Sequence, residues 1–216
     1  MAGKNHPVEI NSDEYQTIQS SSAIGSAVEI KYKQMKVIQK YFLALVPPAE
    51  ILRKANDIKL RVRDEFGIKY ALKSPPHITL KMPFNYNESK ESQLVERLEE
   101  HLRHQAPFTV KISGVGSFGK RVVYLGIEKS EPLLALQRQL NLFCKQQLHL
   151  VDELSDRNFH PHMTVAFKDL KPSHFSDVLE KVKEHRIDTE YSAAELTLLK
   201  RIERVWISQC SLPFKG

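Results

Sequence analysis

From Lys36 onward the period of the apolar residues changes in steps, and each step marks an element. The run "YFLALVP", Tyr41–Pro47, is short and almost wholly apolar, which predicts a buried strand. Pro48 then opens a helical pattern: Ile51, Leu52, Ala55, Ile58, Val62 and Phe66 recur at three- and four-residue steps, and Gly67 stands where a helix stops. A strand carrying His77 follows, then a charged helix over about Glu88–His104 and a strand over Phe108–Phe118. A turn at Gly119 and Lys120 leads into the strand "RVVYLGIE", so the middle of the chain is a hairpin. Beyond it a third helix starts at Pro132 and runs through "PLLALQRQLNLFCKQQLHL", and a loop leads to a strand at His162. A fourth helix spans about Pro172–His185, and strands near Tyr191–Leu199 and Val205–Leu212 close the chain. Strand, helix, strand, helix, strand is thus stated twice, as an ancient duplication giving two lobes would produce.

Residues 1–34 break this order. They are polar and serine-rich, with little periodicity beyond Val28, Ile30 and Tyr32, and read as an arm ahead of one bilobal domain over 35–216. A chain of 216 residues that is 41% hydrophobic can build a real core. No stretch approaches the roughly 18 consecutive apolar residues of a membrane span, and no apolar leader stands at the N-terminus, so a cytoplasmic protein is expected, most simply a monomer. Cys144 and Cys210 lack the spacing of a metal or redox motif and read as core thiols. The net charge of +6 favours an anionic partner.

The candidate chemistry lies in two similar stretches, "SPPHITLKMPF" (Ser74–Phe84) and "FHPHMTVAFKDL" (Phe159–Leu170). Strand side chains alternate, so His77 and Thr79 share one face while Ile78 and Leu80 enter the core; His162 and Thr164 repeat this 162 minus 77, or 85, residues later. If the lobes face each other, two imidazoles and two hydroxyls meet across a cleft. Two histidines suit displacement at phosphorus, because one imidazole can be neutral and the other charged near neutral pH, and threonines can donate to the non-bridging phosphate oxygens. Nothing in this requires a metal or other cofactor. A zinc reading of His160, His162 and His77 finds no accompanying H-E-x-x-H, CxxC or carboxylate cluster. Lys73 and Lys81 flank the first stretch, and Lys168 and Lys171 follow the second. Alternation places Lys81 with His77 and Thr79, which makes it a candidate phosphate contact beside Lys168. Tyr124 is a candidate for stacking a base, with core packing as the alternative.

"HITL" and "HMTV", each on an expected strand and one lobe apart, resemble the two signature motifs of the 2H phosphoesterase superfamily, which includes the 2′-5′ RNA ligases and bacterial RNA cyclic phosphodiesterases. The resemblance covers residues 36 to 212. It implies an α+β fold, with two antiparallel sheets facing a central cleft and helices outside. It also implies opening of 2′,3′-cyclic phosphates, with reversible 2′-5′ joining in some members. By motif, His77 would protonate the leaving oxygen, His162 would activate water, and Thr79 and Thr164 would hold the phosphate. Where the RNA-processing relatives carry arginine, three residues after the second threonine, this chain has Phe167. That departure leaves the substrate open between an RNA end, a small cyclic nucleotide and a 2′-5′ linkage. A binding protein that uses the same cleft without turnover is the alternative in another class.

Overall fold

Two four-stranded antiparallel sheets carry the chain, with strand orders β2-β1-β7-β8 and β5-β4-β3-β6. The computed structural model describes residues 37–216, and the arm expected over 1–34 lies outside the described residues. In chain order the elements are β1 (Ile38–Leu45), α1 (Ala49–Phe66), β2 (Ile78–Asn87), α2 (Glu91–Leu102), β3 (Phe108–Phe118), β4 (Val122–Ile127), α3 (Glu131–Gln146), the single turn α4 (Leu154–Arg157), β5 (His162–Phe167), α5 (Phe175–Glu184), β6 (Thr189–Ala193), β7 (Glu195–Ile202) and β8 (Val205–Pro213). The fold is α+β, as the resemblance implied.

The repeat in the element order is interleaved in space. β3, the last strand of the first half, pairs with β4 in the second sheet, and β7 pairs with β1 in the first. Each sheet therefore needs both halves of the chain. β1 shows why its sequence is a continuous apolar run. Tyr41, Leu43 and Leu45 enter the main core under the helices, whereas Phe42 and Ala44 pack on the opposite face with Leu199, Val46 and Trp206. α1 buries Ile51, Ala55, Ile58 and Val62 and stops where Gly67, at φ 72°, donates its N–H to the Arg63 carbonyl (2.8 Å). Among the described residues no helix is long and apolar enough to cross a membrane.

Three expectations need correction. The strand expected over Tyr191–Leu199 is two strands in different sheets: Ala194 lies between them, its carbonyl accepting the Phe214 N–H (2.8 Å). The burial pattern records the change, from alternation in β6 to continuous burial over Leu196–Lys200 in β7, which is covered on both faces. The helix expected to reach Leu150 ends at Gln146. His149 takes a left-handed φ of 54° and Leu150 donates its N–H to the Cys144 carbonyl (2.9 Å), a helix stop made without glycine. Finally, β2 does not alternate throughout. Ala44 of β1 faces Thr79 but the next residue, Leu43, faces Lys81, so β2 carries an extra residue in a bulge at Leu80.

Candidate active site

Both motif histidines are preceded by a proline, Pro76 before His77 and Pro161 before His162. A residue ahead of proline is held extended, and here its carbonyl turns back to the imidazole two positions on. His77 Nδ1–H donates to the Pro75 carbonyl (2.6 Å) and His162 Nδ1–H donates to the His160 carbonyl (2.7 Å). A carbonyl can only accept, so the proton of each neutral ring sits on Nδ1 and Nε2 keeps its lone pair for the cleft. Proline before the histidine is thus part of the motif, a signal present in the sequence beside the two H-x-T pairs.

His77, Thr79, His162 and Thr164 all line one cleft of about 630 Å³, a size that suits a nucleotide. An aromatic ring flanks each imidazole. Phe42 lies 4.8 Å from His77 between centroids, and Phe118 stands edge-on to His162 at 4.9 Å and 89°. Burial pushes the His77 pKa down to about 4, against the Pro75 hydrogen bond, which raises it; the charges of Lys59 and His162 lower it further. Burial also lowers His162, opposed by the hydrogen bond to His160. Burial bears harder on His77, so in the free protein a single proton shared by the pair rests on His162. Lys59, buried inside α1, donates to the carbonyls of Ala71 and Ser74 (both 3.1 Å) and props the turn that delivers His77.

The cleft lining contains five cations, Lys40, Lys73, Lys168, Arg201 and Arg204, and no Asp or Glu. None of the five enters an ion pair among the described residues. Lys168 lines the cleft, with its Nζ donating to the Tyr70 hydroxyl (2.9 Å). Lys81, expected there as a phosphate contact, does not. The bulge at Leu80 turns it away from His77 into the interior, where it is fully buried and donates to Asp156 Oδ2 (2.6 Å) and the Val151 carbonyl (3.0 Å); Met82 and Pro83 take its place in the cleft. Tyr124 is also outside the lining. It is 8% exposed and lies under His160, its hydroxyl 3.2 Å from His160 Nε2, and Gly116 leaves room for its ring: a Cβ there would fall 2.6 Å from it. Phe118, 39% exposed and packed against the rings of Tyr124 and His162, lines the cleft instead. Arg201, Arg204 and Trp206 come from the β7–β8 hairpin and Lys40 from β1, which no motif in the sequence connects to the histidines. Among the described residues no three His, Cys, Asp or Glu side chains gather as a ligand set.

Residues 47–204 match the family model described as "2'-5' RNA ligase superfamily". The chain belongs to the 2′-5′ RNA ligase superfamily. A Bacillus pumilus protein named "Putative phosphoesterase" is 31% identical over 166 residues, which is 76% of this chain and 90% of that protein. A Bacillus licheniformis protein of the same description is 34% identical over 146 residues, 67% of this chain and 79% of that one. Two solved structures share the fold of this superfamily member. TT0787 of Thermus thermophilus aligns with a TM-score of 0.55 at 19% identity, covering 82% of this chain and 98% of that one. E. coli LigT complexed with NADP+ aligns at 0.54 and 21%, covering 83% and 100%. Family membership makes the chain a phosphoesterase by class. At the position where the RNA-processing members were expected to have arginine, Phe167 stands edge-on to Tyr70 (5.0 Å, 83°), and Lys168 beside it turns back over the same tyrosine.

Proposed function

We propose that this superfamily member hydrolyses a phosphodiester on ribose, a 2′,3′-cyclic phosphate or a 2′-5′ linkage, by two-histidine acid and base catalysis without a metal. The observation that carries the reading is the matched pair of imidazoles in one carboxylate-free cationic cleft, each fixed through Nδ1 so that Nε2 is left for substrate. One Nε2 takes a proton from water as its oxygen bonds to phosphorus. The other imidazolium gives a proton to the ribose oxygen as its bond to phosphorus breaks. Water is thereby added across one P–O bond; with a 5′-hydroxyl in place of water at a 2′,3′-cyclic phosphate, the same two proton transfers join two ends by a 2′-5′ linkage as the 3′ oxygen leaves. Thr79 and Thr164 donate to the non-bridging oxygens, where charge gathers. E. coli LigT, whose fold this chain shares, has been solved complexed with NADP+ and with 3'-AMP, which supports a nucleotide phosphate as ligand.

Incubation with a nucleoside 2′,3′-cyclic phosphate, a 2′-5′ dinucleotide and a 3′-5′ dinucleotide tests this. Turnover of at least one of the first two and not the third is expected. Retention of all three unchanged on the folded protein would replace the enzyme by a binder.

The electrostatics also set a pH dependence. In the free protein both histidines ionise below the usual value of about 6.5. Below about 4 His77 is charged too and no base remains. Above the lowered His162 pKa both rings are neutral and no acid remains. A bell-shaped profile of kcat/KM with its maximum below about 6.5 is therefore expected, while the profile of kcat lies at higher pH because a bound phosphate anion favours both imidazolium forms. A kcat/KM maximum well above neutrality would contradict it.

A further inference from the structure

Tyr70 gathers two cations, with a third on the same cleft, that the two-histidine chemistry leaves unused. Lys168 Nζ lies 4.5 Å from the centre of the Tyr70 ring and donates to its hydroxyl, and Lys73 Nζ lies 4.8 Å from the same centre. Arg201 lines the same cleft as Tyr70, with its guanidinium over the Trp206 ring at 5.9 Å; the hydrogen bond from Lys168 lowers the Tyr70 pKa, and the charges of Lys168, Lys73 and Arg201 add to the effect. Like charges repel; among the described residues no carboxylate lines the cleft, and Asp169, next in chain to Lys168, engages its Oδ2 with backbone N–H groups and forms no ion pair with the three.

The backbone holds them together by strain. Lys168 has φ 59°, and Asp169 N–H donates to the Phe167 carbonyl (2.7 Å), which closes a three-residue turn of the rare, strained hand. Asp169 Oδ2 in turn accepts the N–H groups of Lys69 (2.8 Å) and Tyr70 (2.9 Å). One carboxylate thus locks the turn that aims Lys168 to the segment, about a hundred residues earlier, that carries Tyr70 and Lys73. Strain kept at a cleft wall to bring cations together has a ready physical use in binding an anion. Phe167 is three residues beyond Thr164, roughly 10 Å at ~3.3 Å per residue, and the long side chains of Lys73 and Lys168 narrow that gap.

We propose that Tyr70, Lys73, Lys168 and Arg201 form a second anion subsite, which takes a further phosphate of the substrate cut between His77 and His162. This rests on the hydrolytic reading above and narrows it. The substrate carries at least two phosphate groups, either as a nucleotide with a second terminal phosphate or as an RNA end with its preceding internucleotide phosphate.

Titration calorimetry with three product-like ligands tests it: adenosine 2′-monophosphate, adenosine 2′,5′-bisphosphate and an adenylyl dinucleotide ending in a 2′-phosphate. A second phosphate is expected to tighten binding by about tenfold or more, the scale of a charged hydrogen bond. Lys73→Met, Lys168→Met and Arg201→Met should each lose more affinity for the two-phosphate ligands than for the monophosphate, and Lys54→Met, outside the cleft, should not. A preference for the bisphosphate over the dinucleotide identifies a small nucleotide, and the opposite preference an RNA end. Equal affinity for all three ligands, or an advantage that survives all three cleft substitutions, overturns the subsite. Hydrolysis of a 2′,3′-cyclic nucleotide, followed in parallel, keeps the two claims apart. Hydrolysis without a second-phosphate advantage sinks the subsite alone; the advantage without hydrolysis of any ribose diester sinks the hydrolytic reading alone.

Discussion

Replacing either His77 or His162 by alanine is expected to slow phosphodiester hydrolysis by about 100- to 10,000-fold, the usual contribution of a positioned acid or base. The double variant should be only slightly worse than the single ones, because two groups that act in one proton transfer sequence do not contribute additively. Neither change should cost much stability, since each ring lies at the cleft and its one protein hydrogen bond is to a neighbouring carbonyl. The same variants assign the roles. Resemblance makes His77 the proton donor, whereas burial in the free protein leaves the shared proton on His162. A nitrophenyl diester has a leaving group that departs without a proton, so the variant lacking the donor keeps most of its activity on it and the variant lacking the base does not. Losses below tenfold for both histidines on a ribose diester would remove the mechanism.

Asp156→Ala is the substitution with the largest expected effect on stability, about 3–5 kcal/mol in urea or thermal unfolding, as for any buried charge robbed of its partner. Lys81 and Asp156 are both buried and meet at 2.6 Å. Asp156 also accepts the N–H groups of Met82 (2.8 Å) and Glu153 (3.0 Å), and its carbonyl accepts from Gln137 and Asn141. Asp152, 3.4 Å from Lys81, relieves part of the uncompensated buried charge and places the loss toward the lower end. Adding Lys81→Met to Asp156→Ala removes the orphaned ammonium and should recover part of the stability; no recovery would show that the hydrogen bonds of Asp156, and not the ion pair, hold the site. Leu154, Ser155 and Asn158 line the cleft from the same turn, so activity should fall together with stability.

The strand limits Phe108–Phe118, the start of α1 after Pro48 and its end at Gly67 were legible because apolar period and chain breakers agree there. So was the quartet of His77, Thr79, His162 and Thr164, since alternation holds over the two or three residues that each pair spans. Lys81 was misplaced by the same rule carried two residues further, across a bulge that only the pairing with β1 reveals. Tyr124, a stacking candidate with core packing as the alternative, takes the packed place: its ring is covered by Phe118 (4.6 Å between centroids), with Gly116 beneath, and neither was legible before the hairpin register was known. Arg201, Arg204 and Trp206 reach the cleft only because β7 leaves the half of the chain that made it and pairs with β1. Such a crossing leaves no local trace beyond the burial change at Ala194.

The central claim is that two histidines hydrolyse a ribose phosphodiester without a metal. The most direct measurement is the reaction of the wild-type protein with a short RNA and with a mononucleotide, each ending in a 2′,3′-cyclic phosphate, and with a 2′-5′ dinucleotide, in excess chelator, with products identified by mass and phosphatase sensitivity. The account predicts turnover of at least one, with any ring opening giving a single phosphate isomer, at a rate that the chelator does not change. No turnover of any of the three by the folded protein, or turnover that the chelator abolishes, would contradict it.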